Sequence, residues 1–212
     1  IFIMNPDKNI RVTLASRPVG FPKESDFNIE EVPIPEPGEG EILIKASWLS
    51  LDPYMRGRLD DGAGYADPVP IGDVIVGAIT GEVIKSRSPR FKVGEIIEGR
   101  LGWQSYAVSD GTDIPGNDLR KIDPSLGPIQ TSLGILGMPG FTAYFGFLDV
   151  CEPVAGDTVV VSAASGAVGQ IVGQIAKIMG CHVVGTAGSD KKISYVVDEL
   201  GFDSGINYKT EN

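Results

Sequence analysis

The sequence predicts an α/β chain, a barrel-like β domain followed by the first half of a doubly wound parallel sheet. Three observations carry that expectation. From Lys8 to about Ile122 the apolar residues fall in short runs separated by turn residues, the pattern of half-buried strands. From about Ile129 continuous apolar runs alternate with stripes of helical spacing, as when doubly buried strands are crossed over by helices. A glycine-rich motif, Ala163 to Gly173, joins the end of the first such run to the start of the first stripe. The domain boundary is expected at 128/129, giving 1–128 and 129–212.

In the first domain Ile10–Leu14 alternates, Phe27–Val32 follows, and Glu41–Trp48 is a longer strand. Pro33 to Gly40 joins the last two and cannot be helical, because proline removes backbone donors and restricts its predecessor. Gly72 to Ile84 is β-branched and punctuated by glycine, as a strand bending at a barrel corner would be. Glu95–Gly99 and Ser105–Val108 supply two more strands. In the second domain Gly140–Leu148 is a compact apolar stretch expected to be helical, and Asp157–Ala163 a short buried strand. Val168, Ile171, Val172, Ile175, Ile178 and Met179 form one apolar helical stripe, which Gly180 ends. His182–Ala187 is the next strand, Asp190–Leu200 a second helix closed by Gly201, and Ser204–Tyr208 a third strand. A dinucleotide-binding sheet is normally built from two such halves, so the sequence reads as a fragment of a longer enzyme.

Composition narrows the function. The 212 residues carry 18 Lys and Arg against 28 Asp and Glu, a formal net charge of −10. That balance argues against nucleic-acid and anionic-membrane partners, which need a basic footprint. A phosphorylated cofactor needs only one or two local cations and stays allowed. No apolar run approaches the roughly 20 residues of a membrane span. The opening Ile1–Pro6 is too short for a secretory signal and lacks a basic start, and beginning at Ile1 suggests missing or foreign residues before Met4. Two cysteines, Cys151 and Cys181, make no disulfide framework, so a reducing cytosol is expected. The single histidine, His182, has no metal-ligand spacing to either cysteine, and no metal site is expected.

Chemistry concentrates in Ala163-Ala164-Ser165-Gly166-Ala167-Val168-Gly169. Gly166 lets the backbone turn and approach a pyrophosphate, while Gly169 keeps the first helical turn clear for its N–H groups to face phosphates. A ligand-free turn is the plainer alternative; the strand before and the helix after favour a dinucleotide. An NAD-binding chain usually places an acid at the end of the second strand, for the ribose hydroxyls. Here that strand ends Thr186-Ala187-Gly188-Ser189, followed by Asp190-Lys191-Lys192, which favours NADP(H). Ser189 offers a hydrogen bond and a lysine could neutralise a 2′-phosphate. Asp190 speaks for NAD(H), unless it is the cap or first-turn acid of the next helix. Tyr54, in Leu51-Asp52-Pro53-Tyr54-Met55-Arg56, offers a proton-bearing group, though composition alone favours a tyrosine packed on the core.

The segments Ser50–Arg56, Leu136–Tyr144, Gly156–Gly169, Gly188–Lys192, Leu200–Asp203 and Asn207–Thr210 together resemble one branch of the medium-chain dehydrogenase/reductase superfamily. It is the zinc-free branch of prostaglandin, 2-alkenal and curcumin reductases, and the resemblance runs nearly the whole chain in order. It implies a GroES-like β-barrel domain with a Rossmann domain, of which only the first half falls in this sequence. The implied activity is NADPH-dependent hydride transfer, without zinc, to the activated C=C bond of an α,β-unsaturated ketone or aldehyde. Carried over by position, Gly166, Ala167, Val168 and Gly169 would meet the pyrophosphate, and Lys192 and Tyr208 the 2′-phosphate. Tyr54 would line the substrate cleft. The resemblance also implies a homodimer. A quinone reductase of the same superfamily and a non-catalytic NADP(H)-binding scaffold or sensor are the competing readings.

Overall fold

The computed structural model describes residues 7–62, 64, 66–114 and 117–211. The reading made for Ile1–Pro6 lies outside the described residues. The chain divides into two compact units, Ile1–Leu133 and Gly134–Asn212.

In the first unit β1 (Asn9–Leu14) and β2 (Phe27–Val32) form an antiparallel hairpin. β3 (Ile42–Leu49) follows the proline-rich connection, and the short helix α1 (Tyr54–Arg58) comes directly after it. Then come β4 (Ile79–Ser86), β5 (Ile96–Gly99), β6 (Tyr106–Ser109), the small pair β7 (Thr112–Ile114) and β8 (Asn117–Asp118), and β9 (Arg120–Ile122). The main sheet is antiparallel, in the order β6-β3-β4-β5-β9. Two register shifts in the β3–β4 pairing, at Leu43/Ile44 and Ala46/Trp48, bend it.

The bending strand expected over Gly72–Ile84 is divided. Gly72, Asp73 and Ile75 bond to β1, through Gly72 N–H to Leu14 O (2.7 Å) and Ile75 N–H to Val12 O (3.0 Å), and β4 begins only at Ile79. The same strand receives Ser105 N–H on Ile10 O at 2.8 Å. Asn9 completes the attachment with its side chain: the carboxamide donates to Tyr106 O (2.9 Å) and accepts from Tyr106 N–H (3.0 Å). A buried amide thus stands in for a peptide group and satisfies both partners. The strands at 112–122 are short and polar, with no apolar alternation to reveal them.

Two apolar clusters fill this unit. Ile42 and Ile44, on one face of β3, pack with Ile79, Val83, Phe91, Ile97 and Leu119. Val12 and Leu14 pack with Leu59, Val69 and Ile75, where Phe27 and Trp103 stack with ring centroids 6.3 Å apart.

The second unit opens with α2 (Met138–Tyr144), whose first turn contains Pro139, and a wider helical turn continues it over Phe145–Val150. β10 (Thr158–Val161), α3 (Gly169–Ile178), β11 (His182–Ala187), α4 (Asp190–Ser194) with its continuation Tyr195–Glu199, and β12 (Ser204–Asn207) follow. The three strands are parallel in the order β10-β11-β12. The α3 stripe is corrected at its end: Ile178 is 84% exposed and Met179 is 40% exposed. The face that α3 buries is set by Ile171, Gly173 and Ala176.

Phe202 explains that choice. Its ring occupies a slot between α3 and β11, and a Cβ on Gly173 would overlap it. A Cβ on Gly185 would stand 2.9 Å from the same ring. Around it Phe147, Val161, Ala164, Ala176, Cys181, Val183 and Val196 close the core. Both cysteines, exposed Cys151 and buried Cys181, are free thiols. Among the described residues no helix is long and apolar enough to cross a membrane.

Asp203 ties the same elements. Its carboxylate accepts from Lys177 Nζ at 2.7 Å and from Val183 N–H at 2.6 Å, with His182 Nδ1 at 3.6 Å. The Lys177 hydrogen bond first, and the Val183 amide second, hold the carboxyl below its ordinary value. A depressed folded pKa gives stability that is complete above the unfolded aspartate pKa and is lost as pH falls through the folded one.

Two expectations follow from this packing. Gly173→Ala should cost about 2 kcal/mol by overpacking, while Gly146→Ala, with no atom near its Cβ, should stay within about 0.5 kcal/mol in the same denaturant titration. Asp203→Asn should flatten the acid limb of the stability profile below the usual aspartate range; an unchanged limb would remove Asp203 from the acid response.

Candidate functional site

The second unit gathers seven of the eight candidate positions. Parallel pairing sets Val161 beside Gly185 and Ala187 beside Asn207, so the segments after β10, β11 and β12 leave the same edge of the sheet. The crevice outside the carboxyl ends of parallel strands is where α/β folds receive ligands.

The first segment is the glycine turn. Ala163 sits at φ 47°, a conformation uncommon for alanine, and its carbonyl accepts Gly166 N–H at 2.8 Å. α3 then starts against the turn so closely that a Cβ on Gly169 would lie 2.5 Å from Ala163 O and 3.0 Å from Ala164 Cα. Only glycine fits there without moving backbone. Val168 occupies the N-cap of α3 and no side chain caps it. The N–H groups of Gln170 and Ile171 are bonded to Gly166 O and Val168 O, both at 3.0 Å, which leaves those of Ala167, Val168 and Gly169, with the positive dipole end of a ten-residue helix, for an anion. Gly166, Ala167, Val168 and Gly169 all belong to this turn.

The second segment leaves β11 at Ala187. Ser189 is the N-cap residue of α4, yet its hydroxyl makes no capping bond and is left for other partners. Asp190 is the first residue of the helix and an acid in its first turn, one of the two roles weighed for it. Its carboxylate accepts from Asn207 Nδ2 at 2.6 Å. Lys192 lies on the same turn, its N–H bonded to Ser189 O at 3.0 Å.

The third segment leaves β12. Tyr208 N–H donates to Ala187 O at 3.3 Å, which carries the pairing one residue past the strand. A Cβ on Gly188 would stand 2.8 Å from the Tyr208 hydroxyl and 3.2 Å from Lys209 Cε. Tyr208 and Lys209 therefore close over Gly188. Lys209 was not singled out in the sequence, because a lysine after a short strand is ordinarily a solvated turn residue; its place directly after Tyr208 was the available signal. Among the described residues none of Lys191, Lys192 and Lys209 forms a salt bridge, so no described carboxylate answers their charges. In a chain of net charge −10 that is an uneven distribution, and it suits a dianionic group.

Tyr54 belongs to the first unit. It is the first residue of α1, behind Pro53, and is half-buried. The same unit holds an apolar cavity of about 530 Å³ lined by Ile10, Val12, Trp48, Leu51, Trp103 and Gln104 among others, with no titratable side chain and without Tyr54 in its wall. Such a lining can take apolar groups and supplies no acid or base. Among the described residues no group of three or more His, Cys, Asp or Glu side chains could hold a metal ion.

Residues 10–116 match the family model described as the N-terminal domain of oxidoreductase, and residues 167–212 the model described as zinc-binding dehydrogenase. The NADPH-dependent curcumin reductase of Escherichia coli is 45% identical over 97% of this chain and 58% of its own length. The NADP(+)-dependent 2-alkenal reductase of Nicotiana tabacum is 44% identical over 96% of this chain and 59% of its own. The crystal structure of CurA from Vibrio vulnificus in complex with NADPH superposes with a TM-score of 0.87 at 46% identity, covering 95% of this chain and 58% of that one. The chain thus spans less than two thirds of the length of the relatives it matches.

The turn geometry makes one expectation testable. Gly169→Ala should push the Ala163 carbonyl and the α3 N-terminus apart and weaken dinucleotide binding on the order of tenfold, read by titration calorimetry with NADPH; an unchanged affinity would remove the turn from the site.

Proposed function

This chain belongs to the medium-chain dehydrogenase/reductase superfamily, in the branch of curcumin, prostaglandin and 2-alkenal reductases, and we propose that the whole protein is an NADPH-dependent reductase of activated carbon–carbon double bonds. Its substrates are α,β-unsaturated ketones and aldehydes. The observation that carries the cofactor choice is the corner at Gly188, where the Tyr208 hydroxyl and Lys209 close over a glycine, beside Ser189, whose hydroxyl makes no capping bond, and Lys192, which has no salt bridge among the described residues.

In this reading the second unit is the first half of a Rossmann domain and the first is the GroES-like substrate domain. Gly166, Ala167, Val168 and Gly169 meet the pyrophosphate, Ala167, Val168 and Gly169 through their N–H groups and Gly166 by shaping the turn with its own N–H on Ala163 O. The close approach at Gly169 leaves that turn no room for a side chain, which is the fit a pyrophosphate requires. Ser189, Lys192 and Tyr208 bind the 2′-phosphate by charge-assisted hydrogen bonds. NADPH, when bound, supplies the hydride taken up at the substrate's β-carbon. The enolate so formed accepts a proton at its α-carbon, and Tyr54 lines the substrate and orients its carbonyl. Zinc-free chemistry is proposed because residues 1–150 contain neither cysteine nor histidine, the usual ligands of a catalytic zinc in a dehydrogenase. The proposed setting is the cytosol, where the two free thiols stay reduced, and the proposed assembly is a homodimer.

NADPH consumption by the purified whole protein with a medium-chain 2-alkenal, run beside NADH and beside a quinone, tests the reading. Rapid loss of NADPH with the alkenal, slow loss with NADH, and an NADPH KM raised about tenfold by Lys192→Ala are expected. Preference for the quinone would move the protein to quinone reduction. Tight NADPH binding with no turnover on any acceptor would leave a scaffold.

A further inference from the structure

The acid that follows β11 is the residue that should oppose a 2′-phosphate. Asp190 stands three positions after the strand's last residue, two from the glycine over which Tyr208 and Lys209 close. An uncommitted carboxylate there would repel the phosphate and would offer its lone pairs to a bare ribose hydroxyl instead. The structure commits it elsewhere.

Asn207, the last residue of β12, is 4% exposed. Its carboxamide is engaged at both ends: Nδ2 donates to Asp190 Oδ1 at 2.6 Å, and Oδ1 accepts Lys209 N–H at 3.2 Å. Its backbone closes the same turn, with N–H donating to Glu211 Oε1 at 2.9 Å and C=O accepting from Thr210 N–H at 3.0 Å. One buried side chain therefore determines two things at once. It draws the Asp190 carboxylate onto β12, and it fixes the turn from which Tyr208 and Lys209 reach Gly188.

We propose that Asn207 is the positioning residue for cofactor selectivity, acting through the Asp190 carboxylate it holds and the Tyr208–Lys209 turn it shapes, so that the corner accepts a 2′-phosphorylated nucleotide over its unphosphorylated counterpart. Lys209 is then a second cation for the phosphate beside Lys192, and Asn207 touches no ligand atom. The inference rests on the NADP(H) reading. It adds the reason why an acid in this place is compatible with that cofactor: the amide satisfies the carboxylate, and two lysines outweigh its charge.

The test is a swap of the pair, read by binding and not by turnover. Affinities for NADPH and NADH are measured by fluorescence titration of the wild type, Asn207→Asp, and the double variant Asp190→Asn/Asn207→Asp, with a thermal melt of each. Asn207→Asp sets two carboxylates against each other and should weaken NADPH about tenfold while NADH changes less than about threefold. In the double variant donor and acceptor trade sides, and position 207 keeps an oxygen for Lys209 N–H. NADPH affinity should return to within about threefold of wild type. Should the single variant fail to fold, the double variant still decides, because it must fold and keep the preference for NADPH. Equal weakening of both nucleotides by Asn207→Asp, an unchanged ratio, or a double variant that stays unselective overturns the role of Asn207. A wild type that binds NADH as well as NADPH overturns the cofactor reading itself, and this inference with it.

Discussion

The second unit depends on the parallel register of three short strands. β10 and β12 contribute four residues each and β11 six, so a shift of one residue in either pairing would send alternate side chains to the wrong face. The register is reinforced beyond the strands, by Ala164 N–H on Thr186 O (3.0 Å) at one side and Tyr208 N–H on Ala187 O (3.3 Å) at the other. Those two bonds lie where the glycine turn and the Tyr208 turn leave the sheet. Three segments separated by some twenty residues each are thereby presented at one edge with their backbone groups fixed.

Most of the ion pairs among the described residues lie in the first of the two units. In the first, Arg90 pairs with Asp118, Lys121 with Glu95 and Arg120 with Glu98, and both Arg90 and Lys121 lie over the ring of Phe91. Those are partly exposed pairs of modest worth, and their charges are already answered inside the unit. At the corner of the second unit three lysines are left without carboxylate partners among the described residues, while the two acids of that corner, Asp190 and Glu211, are bonded to the side-chain amide and the backbone N–H of Asn207. On the proposed reading, an overall negative protein keeps a few lysines together at one corner, which suits recognition of a single phosphate without attracting polyanions.

Much of this architecture could be read in the sequence, for identifiable reasons. The glycine turn is legible because a buried strand, a turn without side chains and an apolar helix stripe follow in a fixed order, and each has its own residue chemistry. The strands of both units are legible where alternation or continuous burial runs for four residues or more. The polar strands of 112–122 offered neither. The end of the α3 stripe misleads because helical spacing of apolar residues carries it on to Ile178 and Met179, whereas the helix seats itself by its smallest residues, Gly173 and Ala176. The Asn207–Asp190 bond was hidden for another reason. Nothing in the chemistry of either residue announces the other across seventeen positions, and only the β11–β12 register brings them together.

The slot that Phe202 fills has a consequence for how such a chain can change over generations. Residues 173, 185 and 202 share one fixed volume, with the ring held between two glycines. Any larger residue at either glycine is excluded while a phenylalanine stays at 202, and a smaller residue at 202 leaves a void while the glycines stay. The three positions can therefore drift only in concert, through an intermediate that is either crowded or hollow. Substitution histories at these sites should be correlated, although the positions lie on a helix, a strand and a loop.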